Sequence, residues 1–203
     1  MSPKSKEQIK VLKDIKKRQI LDASLELFAR KGFHATTVEE IAKKAEISKG
    51  LVYNYFKSKE EILQSICYEA YDNFQKLFDP DKDGVLTPEE CEFFLNSFLE
   101  LISSKTTYWR LFYSLSLQPE VMELFNTDFY QEVADKSIFI LSQYLKKCGF
   151  KNPEVEANIL HFIFDGMNIN YLTNPSLVNI EQFKSYLMEK YILPFKNKNF
   201  YEK

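Results

Sequence analysis

The sequence is poor in helix-breaking residues and lacks the features that mark fibrous, secreted or membrane proteins. Only 5 Gly and 7 Pro are spread over 203 residues, which excludes a collagen-like chain or a low-complexity filament. Three cysteines lie far apart, which excludes a disulfide scaffold. The sequence contains no run of about 18 apolar residues, so it predicts no membrane span. The polar, lysine-rich beginning lacks the apolar segment of a secretory signal, so we expect a cytoplasmic protein.

Catalytic motifs are also missing. The sequence has no Gly-rich phosphate loop, no G-x-S-x-G, no H-E-x-x-H and no Cys/His metal spacing. Only His34 and His161 are available as histidine bases. We therefore predict that the protein is not an enzyme and requires no cofactor. With 45% apolar residues, 18 Phe and 12 Tyr, the chain can instead build a large core.

The net charge of −2 hides an asymmetry along the chain. The first 60 residues carry 14 Lys and Arg against 8 Asp and Glu, and the rest carries 13 against 21. The basic end can meet a polyanion, which the acidic remainder would repel. A plain solvated lysine-rich surface is the alternative. The lysines expected to form an N-terminal arm with nonspecific phosphate contacts are Lys4, Lys6, Lys10, Lys13, Lys16 and Lys17.

Apolar residues recur at helical spacing along nearly the whole chain, and no segment alternates strictly with period two. The pattern predicts an all-α protein. A first helix is expected from Lys13 to a stop at Gly32. Breaks between later helices are predicted at residues 79–88, 103–107, 118–119, 126–128, 149–153 and 174–177.

Capping signals divide the basic end into short helices. Thr37 with Glu40 has capping-box spacing, Ser48 can cap a third helix, and Ser58 with Glu61 repeats the capping-box spacing before a fourth. The second and third helices carry apolar residues where a helix-turn-helix needs them to pack two crossed helices: Ile41, Ala45, Ile47, Val52 and Tyr55.

Residues 15–65 resemble the N-terminal domain of the tetracycline-repressor (TetR) family of bacterial transcription regulators, through the string ILDASLELFARKGFHATTVEEIAKKAEISKGLVYNYFKSKEEIL. The resemblance implies a three-helix DNA-binding domain with its arm at residues 1–58, and a helical regulatory and dimerisation domain at 59–203. It also implies a homodimer that leaves its operator when a small ligand binds. Glu46 stands where the family usually has Gly, so we expect a strained turn that costs on the order of 1 kcal/mol.

The third helix, at about residues 49–56, is expected to enter the major groove of DNA. Lys49 can donate to guanine, Gly50 permits close approach of the backbone, and Asn54 can pair with adenine. Tyr53 can touch a thymine methyl or a phosphate, while Tyr55 either packs inside or reaches a phosphate with its hydroxyl.

Two further residues are expected at the phosphate backbone. Thr37 and Lys59 lie at predicted helix N-termini, where free N–H groups favour an anion. The simpler alternative is that Thr37 and Ser48 are only caps and that Lys59 is a solvated lysine. The complete set of predicted DNA-binding residues is Thr37, Ser48, Lys49, Gly50, Tyr53, Asn54, Tyr55 and Lys59.

The second half of the chain is predicted to dimerise and to bind an effector. Helices at about residues 153–173 and 179–192 are apolar over much of their circumference, which favours a four-helix bundle between two copies. Aromatic residues can line a pocket for one apolar ligand, although such residues more often form only a core. The candidate pocket residues are Trp109, Phe112, Tyr113, Phe129, Phe139, His161 and Asp165.

Residues 79–90, DPDKDGVLTPEE, fit the EF-hand calcium-loop pattern between two helices. The alternative is an acidic turn in which Thr87 caps the next helix and Pro88 begins it. Gly84 allows the sharp turn that wraps the loop around an ion. The candidate Ca²⁺ ligands are Asp79, Asp81, Asp83, the carbonyl of Val85, Thr87 and Glu90.

The sequence thus predicts a dimeric transcription regulator on the bacterial nucleoid. It most resembles a repressor that a small apolar ligand releases from a palindromic operator. The alternative is a calcium-responsive helical interaction module without sequence-specific DNA binding. A mobility shift against random competitor DNA separates the two.

Overall fold

The computed structural model describes the backbone of residues 6–125 and 128–198, and their side chains except at positions 6, 124, 125, 128–130 and 133. This part is helical and contains no strand, as the sequence predicts. Its α-helices are α1 (Lys6–Lys31), α2 (Val38–Lys44), α3 (Lys49–Tyr53), α4 (Lys59–Phe78), α5 (Pro88–Ser104), α6 (Thr106–Ser116), α7 (Pro119–Phe125), α8 (Asp128–Cys148), α9 (Pro153–Thr173) and α10 (Ile180–Leu187).

The helices form two compact units. Of the described residues, 6–70 and 111–124 belong to the first unit, and 71–110, 125 and 128–198 to the second. Helices α4 and α6 therefore each contribute to both units. The functional boundary between residues 58 and 59 stays a prediction. None of the helices in the described ranges is long and apolar enough to cross a membrane.

Helix boundaries follow the local signals, with three differences. Helix α1 begins at Lys6 instead of Lys13, because the intervening residues are good helix formers without Gly or Pro. The part of the predicted arm from Lys6 onward is therefore helix, and Lys4 lies outside the described residues. Helix α3 ends at Tyr53 rather than near residue 56. The last predicted helix is α-helical only to Leu187 and continues as a π-turn over Met188–Ile192.

The first unit has a small core from α1 to α4. Phe28, Ile41, Val52 and Ile62 are almost completely buried and come from four different helices. Arg18 on α1 pairs with Glu69 on α4, which joins the first of these four helices to the last. These contacts hold α2 and α3 in place and leave their outer faces exposed.

Phenylalanine rings from four helices of the second unit form one cluster, in which Phe78 and Phe98 are buried and the other rings are half-buried. Adjacent ring centroids lie 5.4–5.8 Å apart, which is the spacing of favourable edge-to-face and stacked pairs. Elsewhere in this unit, the Tyr144 hydroxyl donates to the Tyr191 carbonyl at 2.6 Å. The six rings of the cluster are Phe74, Phe78, Phe94, Phe98, Phe164 and Phe183.

Candidate nucleic-acid interface

A tight turn joins α2 to α3. The Ile47 amide donates to the Ala42 carbonyl at 3.0 Å, and the Glu46 amide donates to the Lys43 carbonyl at 3.2 Å. This pair of bonds is the Schellman motif, which places the residue after the C-cap in the left-handed region. Glu46 is there, with φ of 54°. The predicted strained turn is confirmed, and a non-Gly residue at this position costs on the order of 1 kcal/mol.

The caps of α2 and α3 are also confirmed. The Thr37 hydroxyl accepts from the Glu40 amide at 3.2 Å, and the Glu40 carboxylate accepts from the Thr37 amide at 2.9 Å. The Ser48 hydroxyl accepts from the Leu51 amide at 3.2 Å. Thr37 and Ser48 are both exposed, so capping does not remove them from the surface where a phosphate can approach.

Only half of the predicted third cap is present. The Ser58 hydroxyl accepts from the Glu61 amide at 3.3 Å. The Glu61 carboxylate, however, accepts from the amide of Lys57 at 2.5 Å instead of from Ser58. The side chain of Glu61 therefore reaches one residue further back than a capping box requires.

Helix α3 has one buried and one exposed side. Val52 on the helix and Phe56 just after it are buried in the first unit, and Tyr55 is half-buried. The exposed side carries short and polar residues together with one tyrosine, so a duplex can reach it without rearrangement of the core. The exposed residues are Ser48, Lys49, Gly50, Tyr53 and Asn54.

Lys59 has a different position from the one expected for a phosphate ligand. Its ammonium group donates to the carbonyls of Phe33, Thr36 and His34 at 2.8, 3.0 and 3.3 Å. It also lies 4.4 Å from the centroid of the Phe33 ring. Because these carbonyls take up its three hydrogens, Lys59 here fixes the connection between α1 and α2.

Acidic residues on α2 place negative charge beside the exposed side of α3. The Glu39 carboxylate lies 3.8 Å from the Lys49 ammonium group, and both side chains are well exposed. On the same helix, hydrogen bonds from Lys31 and from Thr37 hold the pKa of Glu40 at about 2. Glu40 is therefore charged at neutral pH, and a phosphate near α2 meets negative charge as well as helix N–H groups.

Gln118 is an important residue of the first unit that sequence reasoning missed. Its amide nitrogen donates to the Phe28 carbonyl at 2.8 Å, and its amide oxygen accepts from the Phe33 backbone at 3.1 Å. Two residues further on, Glu120 lies 3.2 Å from His34. The connection between α6 and α7 thus braces the end of α1. No local signal marks Gln118, because its partners lie 85 and 90 positions away.

The predicted pocket residues are distributed over both units. Trp109 is buried in the second unit, whereas Phe112 and Tyr113 are half-buried in the first. His161 and Asp165 pair at 3.5 Å on the surface of α9. The side chain of Phe139 is exposed, and that of Phe129 lies outside the described residues. The Asp165 carboxylate is about half-buried, and the partial loss of water around it raises its pKa. Ligand binding by this set stays a prediction.

The acidic loop between α4 and α5 combines both of its predicted features. Thr87 caps α5 by a capping box with Glu90, and Pro88 is the first helical residue. At the same time, Asp79, Asp81 and Asp83 each place one carboxylate oxygen within 4.8 Å of the other two. The side chains expected to hold a cation are therefore only partly brought together.

Two short helices joined by a tight turn, with a polar outer side on the second, define a helix-turn-helix protein. Residues 20–66 match the model for bacterial regulatory proteins of the tetR family. A structure described as a transcriptional regulator of the TerR/AcrR family from Aquifex aeolicus is 31% identical. That alignment covers 86% of this chain and 96% of the other, with a TM-score of 0.56. The chain belongs to the TetR family.

Other similar proteins share either the fold or the N-terminal segment. FadR from Bacillus subtilis, solved in complex with stearoyl-CoA, is 20% identical over 87% of this chain and 97% of that one, with a TM-score of 0.63. This likeness shows the same fold. The HTH-type transcriptional regulator YerO from Bacillus subtilis is 56% identical over 52 residues, and the match spans only 18% of its length.

Proposed function

We propose that the protein is a sequence-specific DNA-binding transcription regulator, with α3 as the element that reads the major groove. The observation that carries this proposal is the two-sided character of α3. Val52 and Phe56 fix the helix to its core, while Lys49, Gly50 and Asn54 face outward. Arg or Lys with guanine, and Asn with adenine, are the donor and acceptor pairs that the major groove distinguishes.

A mobility shift with the chain's own upstream promoter tests this proposal, with random DNA as the competitor. Asn54→Ala should weaken binding to the specific duplex by about 1–3 kcal/mol and leave binding to random DNA nearly unchanged. Gln64→Ala is the matched control, because Gln64 is an exposed amide on α4 and not on α3. Equal binding to all duplexes by the unmodified protein would favour the calcium-responsive module over the regulator.

The proposed regulator is a homodimer that binds a palindromic operator. A stripe along α9 supports this assembly, since Val155, Ile159, Phe162 and Ile169 are all exposed and follow one another at spacings of four, three and seven residues, which places them on one side of the helix. Gly166 lies within the same stripe, and apart from its chain neighbours and the backbone of its own helix, a Cβ there would meet no described heavy atom within 4 Å. An apolar helix side with a glycine towards its C-terminal end fits close packing against the same helix of a second copy.

A charge placed in this stripe should separate the dimer. Phe162→Glu introduces a carboxylate where the ring is 66% exposed in the single chain, so the monomer should tolerate it. Leu117→Glu is the matched control, because Leu117 is 70% exposed and lies on the connection between α6 and α7. Sedimentation should give a monomer for Phe162→Glu and a dimer for the control. Two dimeric variants would refute the proposed interface.

We further propose that the dimer represses transcription and that a small apolar ligand releases it from DNA. The neighbour solved with stearoyl-CoA supports an effector that carries an acyl chain. The cluster of phenylalanine rings in the second unit supplies apolar surface for such a chain. Release requires that the ligand binds the DNA-incompetent state more tightly than the competent one.

Stearoyl-CoA added to the preformed protein–DNA complex tests the effector, with free coenzyme A as the control. Loss of the complex with the acyl compound alone would support an acyl-chain effector. If neither compound dissociates the complex, the proposal of an acyl-CoA effector is wrong. The proposed DNA binding is unaffected by this result, because the mobility shift tests it separately. A reporter gene behind the recovered operator then gives the sign of regulation.

A further inference from the structure

The loop between α4 and α5 contains a buried carboxylate that its surroundings do not explain. Asp79 is only 5% exposed, and its Oδ1 atom has no hydrogen-bond partner among the described residues. An ionised oxygen in such a position is unfavourable, because it has left water without gaining a donor or a counter-ion. The arrangement becomes favourable if a cation supplies the missing interaction.

The side chains that lie next to Asp79 are two further carboxylates, which can bind a cation but cannot donate a hydrogen bond to Asp79. One carboxylate oxygen from each of Asp79, Asp81 and Asp83 lies within 4.8 Å of the other two. Asp81 and Asp83 are exposed, and their Oδ1 atoms accept from the amides of Asp83 and Val85 at 3.2 and 2.7 Å. In the described part of the chain no Lys or Arg forms an ion pair with any of the three. Three carboxylates around one point repel each other until a positive charge lies between them.

The spacing of these residues selects the type of cation. Oxygen ligands at the first, third and fifth positions, with Gly84 at the sixth, match the loop that binds Ca²⁺. Gly84 has φ of 76°, as a sharp turn at this position requires. The eighth residue, Leu86, is buried and fixes the loop to the second unit.

Glu90, at the twelfth position, does not belong to the group of carboxylates whose oxygens lie within 4.8 Å of one another. Its Oε2 atom accepts from the amide and the hydroxyl of Thr87 at 2.9 and 2.8 Å. In this arrangement Glu90 caps α5. To bind an ion, it has to offer its other oxygen or leave the cap, which weakens the site relative to a fully preformed loop.

We propose that residues 79–90 bind one Ca²⁺ ion per chain, through the carboxylates of Asp79, Asp81 and Asp83, with the Val85 carbonyl and Glu90 completing the ligand set. Ca²⁺ is favoured over Mg²⁺, because a flexible loop of oxygen ligands suits the larger ion and not the strict octahedron of the smaller one. The site is independent of DNA binding, so either property can be present without the other.

Titration calorimetry of the full-length, chelator-treated protein tests the site. CaCl₂ should give one site per chain with a dissociation constant of about 10⁻⁵ to 10⁻³ M, and MgCl₂ should bind at least about tenfold more weakly. Asp79→Asn and Glu90→Gln should each abolish binding at about 1 mM Ca²⁺. Gln can still close the capping box, so Glu90→Gln keeps the helix start. Glu89→Gln, an exposed neighbour at a non-ligand position, should bind as the unmodified protein does.

Thermal unfolding gives a second readout. Ca²⁺ should raise the melting temperature of the unmodified protein and of Glu89→Gln, but not that of Asp79→Asn. In chelator, Asp79→Asn should melt at the same temperature as the unmodified protein or higher, because it removes a buried charge. A lower temperature would show that the carboxylate already has a partner, which overturns the proposal. The absence of heat and of stabilisation at about 10 mM Ca²⁺ overturns it as well.

Discussion

Gly50→Ala should change stability and DNA affinity in opposite directions. Gly50 is the second residue of α3 and is exposed, and a Cβ added to it would meet no heavy atom within 4 Å. Alanine therefore fits the helix without strain and loses less conformational entropy on folding than glycine does. The free energy of unfolding should rise by up to about 1 kcal/mol, or about 2–4 °C in melting temperature for a chain of this size.

The same methyl group would project from the side that is proposed to meet DNA. If the backbone at Gly50 approaches the duplex closely, the methyl should weaken binding by about tenfold or more, equivalent to about 1.4 kcal/mol. Thermal denaturation and fluorescence anisotropy with a labelled operator measure the two effects, with Gln64→Ala as the surface control. A variant that is as stable as expected and binds with unchanged affinity would refute close approach at Gly50. A less stable variant would refute the stability argument.

Three further predictions concern turn strain, surface charge and pH. Glu46→Gly should stabilise the protein by about 0.5–1 kcal/mol in denaturant unfolding, because φ is 54° at this position. Glu46→Ala should give no such gain. If the glycine and alanine variants are equally stable, the backbone at Glu46 is not strained. Glu39→Gln should strengthen DNA binding at low salt, because it removes a carboxylate 3.8 Å from the Lys49 ammonium group. The gain in affinity should shrink as the salt concentration rises. Weaker binding by this variant would argue against α2 lying near DNA. Hydrogen bonding from the Tyr191 hydroxyl lowers the pKa of Glu156 below 4.5, so its stabilising effect is present above that pH and disappears on acidification. Unfolding curves at about pH 7 and pH 3 should show a smaller acid loss for Glu156→Gln than for the unmodified protein, and parallel losses would contradict this assignment.

Local features of the basic end could be predicted because their partners are close in sequence. The caps at Thr37 and Ser48 involve residues three positions ahead, and the left-handed turn at Glu46 closes through bonds across four to six residues. The fold class followed from helical periodicity for the same reason. Helix α1 begins earlier than its sequence predicts, at Lys6, because an exposed lysine-rich helix has only a weak apolar pattern, which is also typical of an arm.

The acidic loop shows where local signals stop being sufficient. Its sequence fits both a capped turn and a cation loop, and the spacing alone does not choose between them. The structure has the cap at Thr87 and also buries Asp79 beside two other carboxylates. Burial of Asp79 depends on what packs over the end of α4, which no short pattern encodes.

The sequence by itself determined the succession of helices, the caps at Thr37 and Ser48 and the helix-turn-helix spacing, because each depends on residues within about one or two helical turns. The tertiary structure alone decided the partners of Lys59 and Gln118, and the meeting of six phenylalanine rings in the second unit. It also decided which side chains of α9 remain exposed. These features depend on contacts between residues that are tens of positions apart, and the chain brings such residues together only when its helices pack.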